Sequence, residues 1–135
     1  MNWKIIFQLS VFGLIMAVAT VFLIPEKAEP IFWLFIFIFS AYVIAKTVSK
    51  KYFLHGFCVS LVNCIWITAA HIIFYSTYIT NHPNAVEMFA HLPYSTHPKA
   101  QMLVMGPGFG IVSGLVLGLF AVIASLIVKK KARAY

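Results

Sequence analysis

Four long apolar runs, at 5–24, 31–48, 52–78 and 101–128, contain one charged side chain among them, Lys46. A helix rises about 1.5 Å per residue, so roughly 20 residues cross a hydrocarbon core of about 30 Å, and each run is long enough or nearly so. At that depth every backbone N–H and C=O must be satisfied within the chain. Helices do this locally, whereas a closed barrel needs short alternating strands that are absent here. The expected fold is all-α: a polytopic integral membrane protein with a four-transmembrane-helix bundle. Composition agrees, with 62% hydrophobic and 10% charged residues and a mean hydropathy of +0.95; soluble domains have about 45–50% and about 25%. The length of 135 residues is that of one domain, 1–135.

The first run stops at Pro25. Lys4 ahead of it and Ala17 and Ala19 within it resemble a signal peptide, but the run continues to Ile24, past the usual h-region of about 7–15 residues, so the segment is expected to be retained. The second run is dense in aromatics (Phe32, Trp33, Phe35, Phe37, Phe39) and ends where Lys46 can snorkel to the headgroups.

Net charge is +7, and the acids are Glu26, Glu29 and Glu87. The basic clusters flank apolar runs and leave no soluble basic face for a duplex. The lipid bilayer, with its anionic headgroups, is therefore the expected partner, and nucleic acid is not. Lys4, Lys46, Lys50, Lys51, Lys129, Lys130, Lys131 and Arg133 fall on one side of the four runs, leaving Lys27 and Lys99 on the other. Lys and Arg in short loops stay on the cytoplasmic side during insertion. Both termini are thus expected in the cytoplasm of a cell whose membrane holds the protein, with a basic tail at 129–135.

The external loop at 79–100 is bracketed by His82-Pro83-Asn84-Ala85 and His97-Pro98-Lys99-Ala100. Pro83 can open a short amphipathic helix with Ala85, Val86, Phe89 and Leu92 on one face, lying on the membrane interface. Glu87 and His91 are an i, i+4 pair; with His82 and His97 they form a candidate external metal site. Turn-forming His-Pro steps at a headgroup boundary account for the same residues more simply, so no metal is expected. Cys58 and Cys64, both in the third run, lie about 9 Å apart along a helix and cannot bridge.

In the third run Gly56, Ser60, Asn63, Cys64, Thr68, His71, Tyr75 and Tyr78 fall within an arc of about 140°. Lipid offers polar groups no partner, so this stripe is expected to face the bundle, with Ser60, Asn63, Thr68 and His71 as interhelical glue or as the wall of a solute path. The fourth run carries Gly106, Gly110, Gly114 and Gly118 at a spacing of four, a packing ridge for another helix. The small face Ser10, Gly13, Ala17 and Thr20 of the first run is one candidate partner; a second copy of the chain is another. Pro107 withdraws the N–H that would bond Leu103. If the third and fourth helices are antiparallel neighbours, aligning Phe53 with Val128 puts Asn63 near Gly118, His71 near Gly110 and Tyr75 near Gly106. His71 could then donate to the freed Leu103 carbonyl.

The path from Phe74-Tyr75-Ser76-Thr77-Tyr78-Ile79 into Asn81-His82-Pro83, and the glycine-rich last helix ending in lysines, resemble small four-span bacterial membrane proteins common in the Bacteroidetes group and classed as a domain of unknown function. The resemblance implies the topology and a bacterial cytoplasmic membrane. It implies no activity or site residues.

Two functions fit these features. One is a non-enzymatic membrane component; the other is a minimal oligomeric transporter or channel for a small solute, with a second copy or another membrane protein as partner. With Glu26, Glu29 and Glu87 all assigned to external segments, proton-coupled cation export is not expected. Catalysis is not expected either, since no nucleophile, base and orienting acid recur together. No cofactor is expected: haem needs paired axial ligands, and His55 and His71 fall on opposite faces of one helix.

Overall fold

The computed structural model describes residues 1–93 and 96–132. Six helices follow one another: α1 (Trp3–Phe22), α2 (Glu29–Thr47), α3 (Tyr52–Ile73), α4 (Tyr75–Asn81), α5 (Pro83–Ala90) and α6 (Pro98–Ala132). Four of them, α1, α2, α3 and α6, are long and apolar enough to cross a membrane. The protein is a polytopic membrane protein of the all-α class.

Local chemistry sets most helix ends. The Asn2 side chain accepts from the Ile5 N–H at 3.3 Å to cap α1. Glu29 and Pro30 open α2, an acid in the first turn complementing the helix dipole and a proline where no backbone donor is needed. Between α2 and α3 the chain reverses through Lys51, whose φ of 59° is left-handed. The third span ends at Ile73, whereas the apolar run continued to Tyr78; Phe74, at φ −101° and ψ 33°, breaks the helix, and α4 resumes in a new direction. The last helix is longer than its apolar run and passes through Pro107 as one element. At 35 residues it would measure about 52 Å, more than the hydrocarbon alone requires. The tail beyond Ala132 lies outside the described residues.

Packing is inside out relative to a soluble bundle. Phe7, Ile15, Phe35, Val112, Leu119 and Ile127 are exposed, while Ser10, Thr20, Ser40, Ser60, Asn63 and Ser125 are buried. In water such a continuous apolar surface would aggregate; in lipid it is the solvated face, and the small polar residues let helices approach.

The central helix is α3, with α1 on one side and α6 on the other; α2 packs mainly on α6. The glycine ridge of α6 meets α3, not the small face of α1. A Cβ on Gly56 would stand 2.7 Å from the Leu117 carbonyl oxygen and 2.9 Å from the Gly118 Cα, so the two backbones touch there. Gly106 faces Thr68, Gly110 faces Cys64, Gly114 faces Phe57 and Gly118 faces Phe53. The register is therefore displaced by two turns or more from the one obtained by aligning helix ends. α6 overruns the assumed boundary at Val128, and the glycines settle where α3 side chains fill them. The small face of α1 packs on α3: a Cβ on Gly13 would collide with the Asn63 amide, and the Trp66 indole donates to Ser10 Oγ at 3.4 Å.

The end of the bundle that carries Lys46, Lys50 and Lys51 is closed. Ile6, Leu9, Ala41, Ile44, Val59, Leu117 and Ala121 form a dry core from all four spans. His55, 3% exposed, bridges two elements beside it. Its Nδ1 lies 2.8 Å from the Lys51 carbonyl, which can only accept, so Nδ1 carries the proton and Nε2 accepts the Asn2 N–H at 2.9 Å.

Candidate functional site: a cavity between α2, α3 and α6

Toward the opposite end the spans part. Trp33 and Phe37 of α2, the polar side of α3 from Ser60 to His71, and α6 from Met102 to Ser113 surround a cavity of about 390 Å³. Phe37 borders its inner limit, its ring meeting Phe120 edge-on with centroids 6.4 Å apart. Tyr78 of α4 and Met88 and Phe89 of α5 cover the outer part. The exposed side chains of Met88 and Phe109 mark its rim.

Polar ties hold this cover. The Asn81 amide donates to the Val21 carbonyl at 2.8 Å, joining α4 to α1. The Gln101 amide donates to the Phe89 carbonyl at 3.3 Å, joining α6 to α5. Phe22 and Phe74 meet edge-on at 5.1 Å. α5 turns Ala85 and Phe89 inward and leaves Val86 exposed. It covers the outer part of the cavity, and the short helix expected from Pro83 is present.

The polar stripe of α3 divides between two neighbours. Ser60 and Ser113 share a hydrogen bond at 2.7 Å, and the Ser113 hydroxyl also reaches its own helix at the Phe109 carbonyl, 2.7 Å away. The Cys64 thiol donates to the Gly106 carbonyl at 2.8 Å. Cys58 and Cys64 are both free thiols. Thr68 packs on Gly106. Asn63 instead turns toward Gly13 of α1, is 2% exposed, and finds no hydrogen-bond partner for either amide atom. A carboxamide has one acceptor and two donors, and leaving such a group buried and unpaired costs about 1–3 kcal/mol. It lines the inner half of the cavity.

His71 is not bonded to the Leu103 carbonyl: its Nε2 is buried without a partner. Its ring stacks on Tyr78 at 4.0 Å, and Tyr78 stacks on His82 at 4.4 Å, giving a three-ring column at the outer end. Burial first, and then the nearby carboxylates of Glu29 and Glu26, push the Tyr78 phenol up to about 12, so it stays neutral.

Glu29 was assigned by its sequence position to an external turn, and the fold brings it to the cavity wall. Its Oε1 accepts from the Trp33 indole N–H at 3.3 Å, and its Oε2 is 3.9 Å from His82 Nε2. Among the lining residues it is the one carboxylate, and no Lys or Arg accompanies it. The spacing Glu29-x-x-x-Trp33 at the head of an apolar run was the sequence signal for this pair, because residues four apart share a helix face.

The four residues considered for a metal are not gathered. His82 is buried in the ring column, while Glu87, His91 and His97 are exposed. Among the described residues no three His, Cys, Asp or Glu side chains form a ligand set.

Fold and cavity together define a multi-pass helical membrane protein with a one-ended pocket. Comparison with protein-family models, with curated proteins and with solved structures finds no match for this chain.

Proposed function

We propose that this is a non-enzymatic protein of a cell membrane that binds a small, predominantly apolar molecule in the cavity between α2, α3 and α6. The observation that carries this reading is a largely apolar pocket of about 390 Å³ with a few polar groups on its wall, among them Asn63 and the unpaired His71 Nε2. Ligand pockets are typically apolar, of about 300–1,000 Å³, with a few convergent polar groups that orient the ligand. A guest that satisfies Asn63 recovers the cost of burying it. The test is equilibrium binding of a panel of small amphiphiles to the protein in nanodiscs, with Met105→Trp filling the cavity. Tight binders should lose at least tenfold in affinity in that variant; unchanged binding would place their site elsewhere.

Transport by an oligomer is the second reading, favoured by the reach of the cavity from the loop end to Asn63, midway along α3. Solute sites near the bilayer midplane suit alternating access. The core at the basic end blocks a continuous path through one chain, so transport would need a rearrangement there or a second copy. Oligomeric state in detergent separates the two readings.

The orientation with both termini in the cytoplasm is supported by the shared end of Lys46, Lys50, Lys51 and Lys129, the last over the Tyr52 ring at 5.0 Å. A reporter active only outside the cytoplasm should work when fused after Asn84 and fail after Lys51. Activity at Lys51 would invert the topology. The bacterial four-span resemblance is compatible with this placement and supplies no ligand.

A further inference from the structure

The outer end of the cavity carries a carboxylate, Glu29, with the buried His82 imidazole behind it. His82 is 1% exposed, and its Nδ1 lies 3.1 Å from the Tyr78 carbonyl, which can only accept, so Nδ1 carries a proton. Its Nε2 has no hydrogen-bond partner. It faces Glu29 Oε2 at 3.9 Å, too long for a hydrogen bond. Among the described residues no donor reaches Oε2, since the Trp33 indole takes Oε1. His82 Nε2 is closed to a water-sized group, whereas Glu29 lines the cavity, so a nitrogen held there can donate to its carboxylate at about 2.9 Å. Around this point stand Trp33 and Phe89, and aromatic faces attract cations. Below it Ile67, Met102, Met105 and Phe109 mix with Cys64, Thr68 and His71, down to Asn63.

Resting on the binding role proposed above, we propose that the ligand is a protonated aliphatic amine on an apolar body. Its N–H groups donate to the Glu29 carboxylate, and its body lies along α3 toward Asn63. A first-turn acid alone would serve helix α2 through its dipole, but that role does not require the acid to line a cavity beside Trp33. Nor does the field of the whole protein favour a cation: the net charge is +7, which repels one at long range. Any preference for an amine must therefore arise locally.

The test compares phenylbutylamine, phenylbutanol and phenylbutyrate, which share a body and differ in head charge, by equilibrium binding to the protein in zwitterionic nanodiscs against empty discs. The amine should bind at least tenfold tighter than the alcohol, and the carboxylate more weakly than either. Glu29→Gln should abolish the amine preference while alcohol binding persists; Glu87→Gln, at an exposed acid, should change neither. An alcohol that binds the unaltered protein as tightly as the amine, or a tenfold amine preference that survives Glu29→Gln, overturns the amine assignment and leaves the pocket standing. If Glu29→Gln fails to fold, the order of the three probes on the unaltered protein decides. Binding of none of them overturns the pocket reading as well.

Discussion

The two ends of this bundle are built from the same four helices and solve opposite problems. At the basic end, glycine and alanine bring backbones together, and Ile44, Val59 and Leu117 fill what remains with no exposed surface. At the other end α6 presents glycines again, but α2 stands off, and Glu29, Trp33 and Phe37 reach across from it. The closed end gains dispersion from every atom, where lipid offers no hydrophobic drive. The open end forgoes that packing; buried unpaired polar atoms occur in both halves, on His71 and His82 there and on Ser40 and Tyr52 toward the basic end. Packing is thus concentrated in one half and binding capacity in the other, a division common where local stability is traded for a site.

The contrast is most exposed to failure in truncations on α6. Leu117→Ala removes a fully buried side chain at the closed end and should cost about 2–5 kcal/mol. Met105→Ala borders a space that already exists and should cost less than about 1 kcal/mol, since little new cavity forms. Unfolding in mixed micelles measures both, and equal losses would mean that the cavity is closed by lipid or by another chain. Gly114→Leu would drive a side chain into Phe57, and its mild control is the 56% exposed Leu119, not the fully buried Leu117.

A smaller effect sharpens the same comparison. Asn63→Leu replaces an unpaired amide by an apolar group of similar size, so the unliganded protein should hold its stability or gain about 1 kcal/mol, while affinity for the cavity's ligand falls. If Asn63 instead glued α1 to α3 through hydrogen bonds, stability would drop and binding would follow it.

Much of the architecture was legible because a membrane imposes few solutions. Run length and the absence of charge identify four spans, and the spacing of Gly106, Gly110, Gly114 and Gly118 marks a surface of close approach. The register between α3 and α6 was not legible. It depends on where Phe53, Phe57, Cys64 and Thr68 fit against that ridge, and a four-residue repeat fits equally well one turn higher or lower. The break at Phe74 was equally hidden inside an apolar run. The histidines show the limit again: His55, His71 and His82 look alike in a string, yet one ties the N-terminus to α3, one lines a cavity and one stacks beneath a lid.

By itself the sequence determined the solvent, the number of spans and the faces that turn inward, since these follow from hydropathy and helical period within each segment. Only the tertiary structure decided that α2 leans away from α3, that α5 covers the gap, and that Glu29, from the end of a turn, stands beside His82. Those outcomes depend on contacts between residues as far apart as Glu29 and His82, and no local pattern encodes a distance between helices.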